Sequence, residues 1–301
     1  MLGRSAYLWS VTVVFVLYLL NPLFLTQHQG HDYQSSMSAQ NQLSVIVPTY
    51  NEPPNNIRRL CERLFAAAEK QVPKLEVQLL IVDDESKGSA ALATQVAELA
   101  KNGYKIGLLA RKKSEGRGLS SAVMLGLRKA EHGVMVVMDA DLQHEPESVP
   151  AVAAPVLQGK AQFSVGSRNV AGGKVAGWTF SRKLISQVAT MLAMPVTTCR
   201  DPMSGFFCLS KTTLAQAKNV NDVGFKIGLE LQVRSNAKTI AEVPITFQDR
   251  EEGESKLTMK QNIEYVSQLL ALYWYKYGVL VLLPPILVLA FLYYFILPLI
   301  L

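Results

Sequence analysis

Hydrophobic residues between positions 43 and 138 form short apolar runs that are separated by segments of helical periodicity. The runs are Leu43–Val47 (ended by Pro48), Val77–Val82, Ile106–Leu109 and Val134–Met138. The segments between them repeat an apolar residue every three or four positions, which predicts amphipathic helices. Strands that are apolar throughout and alternate with helices indicate a parallel sheet with helices on both faces. The predicted fold class is therefore α/β, with a Rossmann-like, mostly parallel sheet.

The pattern beyond Leu142 mixes strands and helices and contains no internal repeat. Further strands are predicted at Phe163–Gly166, Gly205–Leu209 and Ile240–Phe247. Further helices are predicted near residues 179–194, 226–236 and 258–276. The α/β domain is thus expected to cover residues 43–257, after a polar linker over residues 27–42.

The helix predicted near residues 179–194 is amphipathic. Its polar face carries Arg182 and Lys183, and its apolar face carries Leu184, Ile185, Val188, Met191 and Leu192. This pattern is typical of a helix that lies in a membrane interface, and an ordinary core helix is the alternative. Residues 258–276 carry a similar apolar stripe and are interpreted as a second interfacial helix.

Each end of the chain carries an uncharged, apolar stretch, at Tyr7–Thr26 and at Tyr277–Leu301. A helix of about 20 residues spans the hydrocarbon core of a bilayer, which is roughly 30 Å thick. Tyrosine and tryptophan residues just before the second stretch are typical of a membrane–water interface. We predict a membrane anchor over residues 1–26 and a transmembrane helix over residues 277–301. Because Arg4 precedes the first stretch, a cleaved signal peptide is the alternative there.

Composition narrows the range of partners. The 301 residues carry a formal charge of +6, which suits phosphates, acidic lipids or nucleic acid. Basic and aromatic residues are not interleaved as in nucleic-acid-binding sheets, so we predict no nucleic-acid partner. The three cysteines lack metal-ligand spacing and are interpreted as buried thiols. The sequence also lacks the motifs of phosphate-binding loops, nucleophile elbows and zinc peptidases.

An acidic motif directly follows the strand Val134–Met138. Asp139, Asp141 and Gln143 alternate along it, so their side chains would converge if the segment were extended. Three hard oxygen donors suit Mg²⁺ or Mn²⁺ and suit zinc or copper poorly. A divalent ion at this place can bind a diphosphate and stabilise it as it leaves. The motif predicts such a metal site, with a solvated acidic turn as the alternative.

Polar residues also follow the first two strands. Tyr50 can stack on a nucleobase, and the carboxylates of Glu52 and Asp84 can accept hydrogen bonds from a base or a ribose. Ligands of open α/β sheets bind outside the carboxyl ends of the strands, where these residues are expected. The alternative is local turn chemistry, in which Asp84 or Ser86 starts the next helix.

Basic residues in the second half of the domain suit a cleft that holds several phosphates. Arginine binds phosphate through two hydrogen bonds, whereas lysine acts as a mobile point charge. The segment from Arg250 to Lys256 contains Gly253 and is predicted to be a mobile loop that closes over the ligand. The basic residues concerned are Arg168, Arg182, Arg200, Arg250 and Lys256.

Six motifs stand in a characteristic order: VIVPTYNE at Val45–Glu52, DDES at Asp83–Ser86, MDADLQHE at Met138–Glu145, GSR at Gly166–Arg168, DPMSGF at Asp201–Phe206 and GESKL at Gly253–Leu257. In this order they resemble the dolichyl-phosphate mannosyltransferases, which belong to the family 2 glycosyltransferases with the GT-A fold. The resemblance covers residues 43–257. The chain departs from the family pattern at Glu85–Gly88 and at Arg117, both near the expected donor site.

The resemblance implies inverting transfer of mannose from GDP-mannose to dolichyl phosphate or another polyprenyl phosphate, with Mg²⁺ or Mn²⁺ held by Asp139, Asp141 and Gln143. It implies a nucleotide-sugar site made of Pro48, Tyr50, Glu52, Asp83, Asp84, Asp139, Gln143, Arg250 and Lys256. The acceptor phosphate is expected at Arg168, Arg182 and Ser186. Direct roles in catalysis are expected for Asp141, Arg250 and Lys256.

A phosphate acceptor changes what catalysis requires. Because the second pKa of a phosphate monoester is about 6, the acceptor is already an anionic nucleophile at neutral pH. The enzyme then has to align the reactants and to neutralise charge, so no catalytic base is required.

Two competing functions, further partners and a location complete the expectations. A glucosyltransferase that uses UDP-glucose and an inactive membrane scaffold are the competing functions, and small membrane subunits are possible further partners. Lys256, Lys260 and Lys276 favour a domain on the cytoplasmic side of the membrane, and the sequence has no N-glycosylation acceptor. The expected location is the endoplasmic reticulum membrane with a cytoplasmic catalytic domain, or the plasma membrane in a prokaryote.

Overall fold

The computed structural model describes residues 41–112, 118–248 and 259–282. The strands are β1 Gln42–Thr49, β2 Glu76–Asp83, β3 Ile106–Ala110, β4 Val134–Val137, β5 Phe163–Ser167, β6 Lys174–Val175, β7 Phe207–Ser210, β8 Ile240–Pro244 and β9 Thr246–Phe247. The α-helices are α1 Pro54–Gln71, α2 Ser89–Lys101, α3 Leu119–Lys129, α4 Val149–Leu157, α5 Phe180–Ala193, α6 Lys211–Gln216, α7 Ile227–Arg234 and α8 Met259–Tyr277. Short 3-10 helices lie at Pro146–Ser148 and Gly278–Leu282.

Seven strands form one sheet in the order β3-β2-β1-β4-β7-β5-β8. All neighbouring strands are parallel except β7, which runs antiparallel to both β4 and β5. A separate small sheet pairs β6 with β9 in parallel. The predicted mostly parallel α/β sheet is therefore confirmed, and the reversed strand is an addition that the sequence pattern did not predict.

Helices cover both faces of the large sheet, as the apolar strands require. In β1, Val45 and Val47 pack with α1, α2 and α4, whereas Ile46 packs with α3 on the opposite face. The contact of α3 with the sheet is close because of Gly126. A Cβ atom at Gly126 would lie 2.4 Å from Cγ2 of Ile46, so a side chain does not fit there. The core thus fixes the strand ends relative to one another.

Pro48 was predicted to end the first strand, and this is wrong: β1 continues to Thr49 beside β2. What ends at Pro48 is the pairing with β4. Met138 donates its N–H to the carbonyl of Ile46, and the next bond of that parallel ladder would need an N–H from residue 48. Proline has none, so the chain after Met138 separates from β1 and starts the acidic motif.

Two other predicted strands have different bounds. The single strand predicted at Ile240–Phe247 is two strands, because Pro244 ends β8 and the chain then crosses to the small sheet as β9. The strand predicted at Gly205–Leu209 is β7, which begins at Phe207. The three predicted late helices correspond to α5, α7 and α8.

The terminal segments lie mostly beyond the described residues. Residues 1–40, which include the predicted anchor and nearly all of the linker, are outside them, and so are residues 283–301. Among the helices in the described ranges, none has the length and apolar character needed to cross a membrane. The two membrane helices therefore stay predictions.

Candidate active site

The loops after β1 and β2 enclose a cavity of about 440 Å³ at the carboxyl edge of the sheet. Asn51 ties the two loops together, since its N–H donates to Oγ of Ser86 at 2.7 Å and its Oδ1 accepts the N–H of Lys87 at 2.9 Å. Tyr50 is exposed beside this cavity. The lining residues are Thr49, Asn51, Glu52, Pro53, Ser86, Lys87, Gly88 and Leu92. Glu52 thus lies where a nucleotide was predicted to bind.

Asp83 and Asp84 are neighbours with different partners. Asp83 is fully buried and accepts hydrogen bonds from the hydroxyls of Ser86 and Ser89, so it shapes the turn into α2. Asp84 accepts the N–H of Gly118 at 2.9 Å and lies 3.5 Å from the buried guanidinium of Arg111. Local hydroxyls bond to the carboxylate of Asp83, and its predicted contact with a nucleotide stays a prediction. Arg111 was not singled out from the sequence.

The acidic motif is not extended. Leu142 has a φ of 60°, in the left-handed region, so the alternation that was expected to align the three side chains is broken. The carboxylate of Asp139 is partly exposed, whereas Asp141 and Gln143 are buried. The side-chain amide of Gln143 donates to the carbonyl of Gln248 at 3.0 Å. The premise of an extended segment is therefore wrong, and the convergence of the three donors stays a prediction.

Asp139 and Asp141 still present hard oxygen donors at the carboxyl end of β4. A Cβ atom at Gly205 would lie 3.1 Å from Oδ2 of Asp139, so glycine leaves room beside this carboxylate. No group of three or more His, Cys, Asp or Glu residues suited to a metal occurs within the described ranges. These two carboxylates, with Gly205 leaving room beside Asp139, fit Mg²⁺ or Mn²⁺, because such ions keep several positions for water and phosphate oxygens.

His144 lies beneath the acidic motif. Its ring packs between Phe206 and Phe247, with centroid distances of 5.2 and 5.0 Å, and its Nδ1 lies 3.6 Å from Oδ2 of Asp139. Burial lowers the pKa of His144 to about 4, although Asp141 acts in the opposite direction. The imidazole is therefore neutral at pH 7, and it supports the motif without adding charge.

A buried ion pair joins two other motifs. The guanidinium of Arg168 donates two hydrogen bonds to Asp201, at 2.8 and 2.7 Å, and the Arg168 N–H donates a third at 2.8 Å. Burial raises the pKa of Asp201, but the hydrogen bonds and charge of Arg168 outweigh this effect and hold the pKa below its usual value. The structure thus gives Arg168 a carboxylate partner that was not foreseen, and its contact with an acceptor phosphate stays a prediction.

The other residues predicted for the acceptor lie on α5. Arg182 and Ser186 are four positions apart and share one side of the helix. The guanidinium carbon of Arg182 lies 4.3 Å from the ring centroid of Trp178. Arg250 and Lys256 lie outside the described residues, so their predicted roles have no structural counterpart here.

Lys226 is a candidate that sequence reasoning missed. Its Nζ donates to the carbonyl of Met203 at 2.7 Å, in the loop before β7. Burial and the charge of Arg168 lower the pKa of Lys226 to about 8, while Asp139 and Asp201 act in the opposite direction. Lys226 therefore brings positive charge to the neighbourhood of both carboxylates. No motif signalled it, because the fold alone carries the start of α7 to this loop.

Residues 44–214 match glycosyl transferase family 2, which is more than half of the chain. The chain belongs to this family. It is 42% identical to the dolichol-phosphate mannosyltransferase of Saccharomyces cerevisiae over 243 residues, which are 78% of this chain and 88% of the relative. The corresponding enzyme of Mycosarcoma maydis is 41% identical over 249 residues, with 81% and 83% covered. That of Pyrococcus furiosus is 40% identical over 228 residues, with 74% and 61% covered.

The chain is therefore a glycosyltransferase, and it belongs with the dolichol-phosphate mannosyltransferases, as its motifs indicated. Solved structures support the fold. Mannosyl-3-phosphoglycerate synthase from Rubrobacter xylanophilus has a TM-score of 0.54 at 17% identity, covering 80% of this chain and 78% of that one. Glucosyl-3-phosphoglycerate synthase from Mycobacterium tuberculosis, solved with Mn²⁺ and UDP, has a TM-score of 0.52 at 18% identity, covering 83% and 87%. The predicted GT-A-like fold is confirmed.

Proposed function

We propose that this glycosyltransferase moves mannose from GDP-mannose to dolichyl phosphate or another polyprenyl phosphate, with inversion at the anomeric carbon. The observation that carries the proposal is identity of about 40% to three enzymes named dolichol-phosphate mannosyltransferase, over most of the chain. The polar residues that follow β1, β2 and β4 at one edge of the sheet agree with it, since that edge binds ligands in open α/β sheets.

The donor is assigned to the cavity beside Tyr50 and Glu52 and to the acidic motif after β4. Asp139, Asp141 and Gln143 would hold Mg²⁺ or Mn²⁺, which would neutralise the diphosphate as it leaves. The mycobacterial synthase, solved in complex with Mn²⁺ and UDP, supports this choice of ion. Pro48, Asp84, Arg250 and Lys256 complete the assigned donor site.

The acceptor phosphate is assigned to Arg182, Ser186 and the region of Arg168. Because that phosphate is already anionic, these residues have to orient it and balance its charge while its oxygen attacks the anomeric carbon. Lys226 contributes further positive charge beside the carboxylates. No side chain has to remove a proton in this scheme, so Asp141 acts through the diphosphate and its ion.

The lipid tail of the acceptor is assigned to a bilayer that contacts α5 and α8. Large apolar side chains of α5 are exposed, with Phe180 at 81% and Ile185 at 64% of full exposure. The two helices are joined by tyrosines of α8: the hydroxyls of Tyr265 and Tyr273 donate to the carbonyls of Ala189 and Leu192. An exposed apolar surface of this kind suits a membrane interface.

We further assign the chain to the endoplasmic reticulum membrane with its site toward the cytoplasm, or to the plasma membrane in a prokaryote. The predicted membrane helices at Tyr7–Thr26 and Tyr277–Leu301 and the basic residues near the second of them support this location. Small membrane subunits are further expected partners.

Product analysis tests the proposal. The purified full chain in detergent is given labelled GDP-mannose or labelled UDP-glucose, dolichyl phosphate, and Mg²⁺ or Mn²⁺. We expect a labelled lipid to form from GDP-mannose, and we expect none to form when the metal is chelated. A labelled lipid from UDP-glucose alone would instead identify a glucosyltransferase, and no product from either donor would contradict the proposal.

A further inference from the structure

Trp178 contacts two arginines of the candidate acceptor site. The guanidinium carbon of Arg182 is 4.3 Å from its ring centroid, and that of Arg168 is 5.2 Å from it. Phe247 meets the indole edge-on at 5.7 Å and also contacts the guanidinium of Arg168 at 5.3 Å. Both arginine distances are within the range at which a cation is attracted to an aromatic face.

The side chain of Arg168 and the backbone of Arg182 are anchored independently of the indole. Arg168 is held by the two hydrogen bonds to buried Asp201, so its position does not depend on the indole. Arg182 is on the first turn of α5, whose N-cap Thr179 directly follows Trp178 and accepts the Arg182 N–H at 3.4 Å. The indole therefore connects Arg168 at the end of β5 and Phe247 of β9 with the start of the amphipathic helix.

The indole N–H is an unusual feature of the same residue. Nε1 of Trp178 is buried and has no hydrogen-bond acceptor within the described part of the chain. Buried N–H donors without acceptors are uncommon, because a buried donor that makes no hydrogen bond costs free energy. An acidic headgroup bound beside the arginines would bring oxygen atoms to this neighbourhood.

We propose that Trp178 is a positioning residue that sets the guanidinium of Arg182 for the acceptor phosphate. The ring holds that guanidinium beside the fixed Arg168–Asp201 pair. Its movement is therefore already restricted before the headgroup binds, which lowers the entropy cost of binding. This inference rests on the proposed function, since it names how one substrate of that reaction is recognised. It predicts an effect on the acceptor that is separate from the donor.

The test compares Trp178→Leu, which removes the aromatic face, with Trp178→Phe, which keeps a face and removes the N–H. A short, water-soluble polyprenyl phosphate serves as acceptor, so that changes in membrane contact do not enter the measurement. For Trp178→Leu we expect the acceptor KM to rise about tenfold, in line with the strength of a desolvated cation–π contact. The KM for GDP-mannose is expected to stay within about twofold, and Trp178→Phe to restore most of the acceptor KM.

Phe65→Leu is the matched control. Phe65 is an aromatic residue of α1 that packs on Tyr104, far along the chain from both arginines, so its loss should leave the acceptor KM unchanged. A second comparison combines Trp178→Leu with Arg182→Gln. If the tryptophan acts through Arg182, the double variant should be no worse than Arg182→Gln alone.

The outcomes separate this inference from the proposed function. If the unaltered chain forms no mannosyl lipid, the proposed function fails before the variants are examined. If it does form one but Trp178→Leu raises both KM values equally, or leaves the acceptor KM unchanged, the positioning role is wrong. If Trp178→Phe is as impaired as Trp178→Leu while Arg182→Gln adds further loss, the aromatic face is not what acts.

Discussion

Asp201 accepts two side-chain hydrogen bonds from Arg168, at 2.8 and 2.7 Å, and its carboxylate is fully buried. The pair joins the end of β5 to the loop that enters β7, and it also supports the indole of Trp178. Breaking a buried pair leaves one charge without its partner, which is among the largest effects of a single substitution.

Asp201→Asn is therefore expected to lower the free energy of unfolding by about 3 kcal/mol. Equilibrium unfolding in urea, followed by circular dichroism, measures this change. Glu69→Gln, on the exposed side of α1, is the control and should change the value by less than about 0.5 kcal/mol. Equal stability of Asp201→Asn and the unaltered chain would show that the pair contributes nothing.

The Arg168–Asp201 pair also makes the free energy of unfolding depend on pH. Burial alone would raise the pKa of Asp201, but Arg168 holds it below the ordinary value of about 3.9. A carboxyl whose pKa is depressed by folding stabilises the fold fully above its unfolded pKa and loses that contribution as pH falls through its folded pKa. The stability difference between the unaltered chain and Asp201→Asn should be constant from pH 8 to about 5 and should shrink below about pH 4. A difference that grows as acid is added would contradict this assignment.

Gly126 is expected to tolerate no side chain. Gly126→Ala would bring a Cβ within 2.4 Å of Ile46 and 3.0 Å of Val82, so α3 would have to move away from the sheet. We expect a loss of about 1–3 kcal/mol in unfolding free energy, despite the better helix propensity of alanine. Gly107→Ala is the matched control, because its Cβ would make only an ordinary contact of 3.5 Å with Leu80. Thermal unfolding of both variants checks the comparison.

Asp139→Asn and Asp141→Asn are expected to weaken Mn²⁺ binding in the presence of GDP and to lower kcat by about 100-fold or more, because the departing diphosphate loses its counter-charge. Calorimetry with Mn²⁺ and GDP measures the binding, and steady-state kinetics measure the turnover. The contrary outcome is that metal and both substrates bind Asp141→Asn normally while turnover stops. That result would identify Asp141 as a catalytic base and would overturn the scheme without a base.

Ile185 and Val223 are equally exposed, at 64%, but only Ile185 lies on α5. Ile185→Gln is expected to raise the KM for a long-chain polyprenyl phosphate in vesicles about tenfold, because it removes an apolar side chain from the proposed membrane contact. Val223→Gln should leave this KM unchanged. A short, soluble acceptor should give equal KM values for both variants and the unaltered chain; parallel losses with both acceptors would argue against a membrane contact of α5.

The sequence predicted the elements better than the details of their ends. The apolar runs located β1 to β4 within a few residues, because a strand buried on both faces has an unmistakable composition. The direction of β7 could not be predicted, since a short, mostly apolar run of four residues gives the same pattern in either direction and only β4 and β5 decide the pairing. The left-handed Leu142 was also beyond prediction, because leucine gives no local signal for that conformation.

The candidate site shows the same division. The motifs predicted which polar residues follow the strands at the carboxyl edge of the sheet, but not which of two adjacent aspartates bonds to the hydroxyls of its own turn. Asp83 and Asp84 differ because only Asp83 lies within reach of the hydroxyls of Ser86 and Ser89. The partnership of Arg168 with Asp201 spans 33 positions and depends on the fold. Lys226 reaches the site in the same way.

Because β7 is reversed, the segments before and after it lie at edges of the sheet opposite to those of the corresponding segments of a parallel strand. The loop before Phe207, with Asp201 and Gly205, lies at the carboxyl edge of the parallel strands. The chain leaving Ser210 emerges at the opposite edge, where the Lys211 N–H donates to the carbonyl of Gly133. In the parallel strands it is the chain leaving the strand that lies at the carboxyl edge. An insertion before β7 would therefore displace Asp201 and Gly205 at the carboxyl edge, whereas the exit of this four-residue strand passes directly into α6, whose N-cap is Ser210.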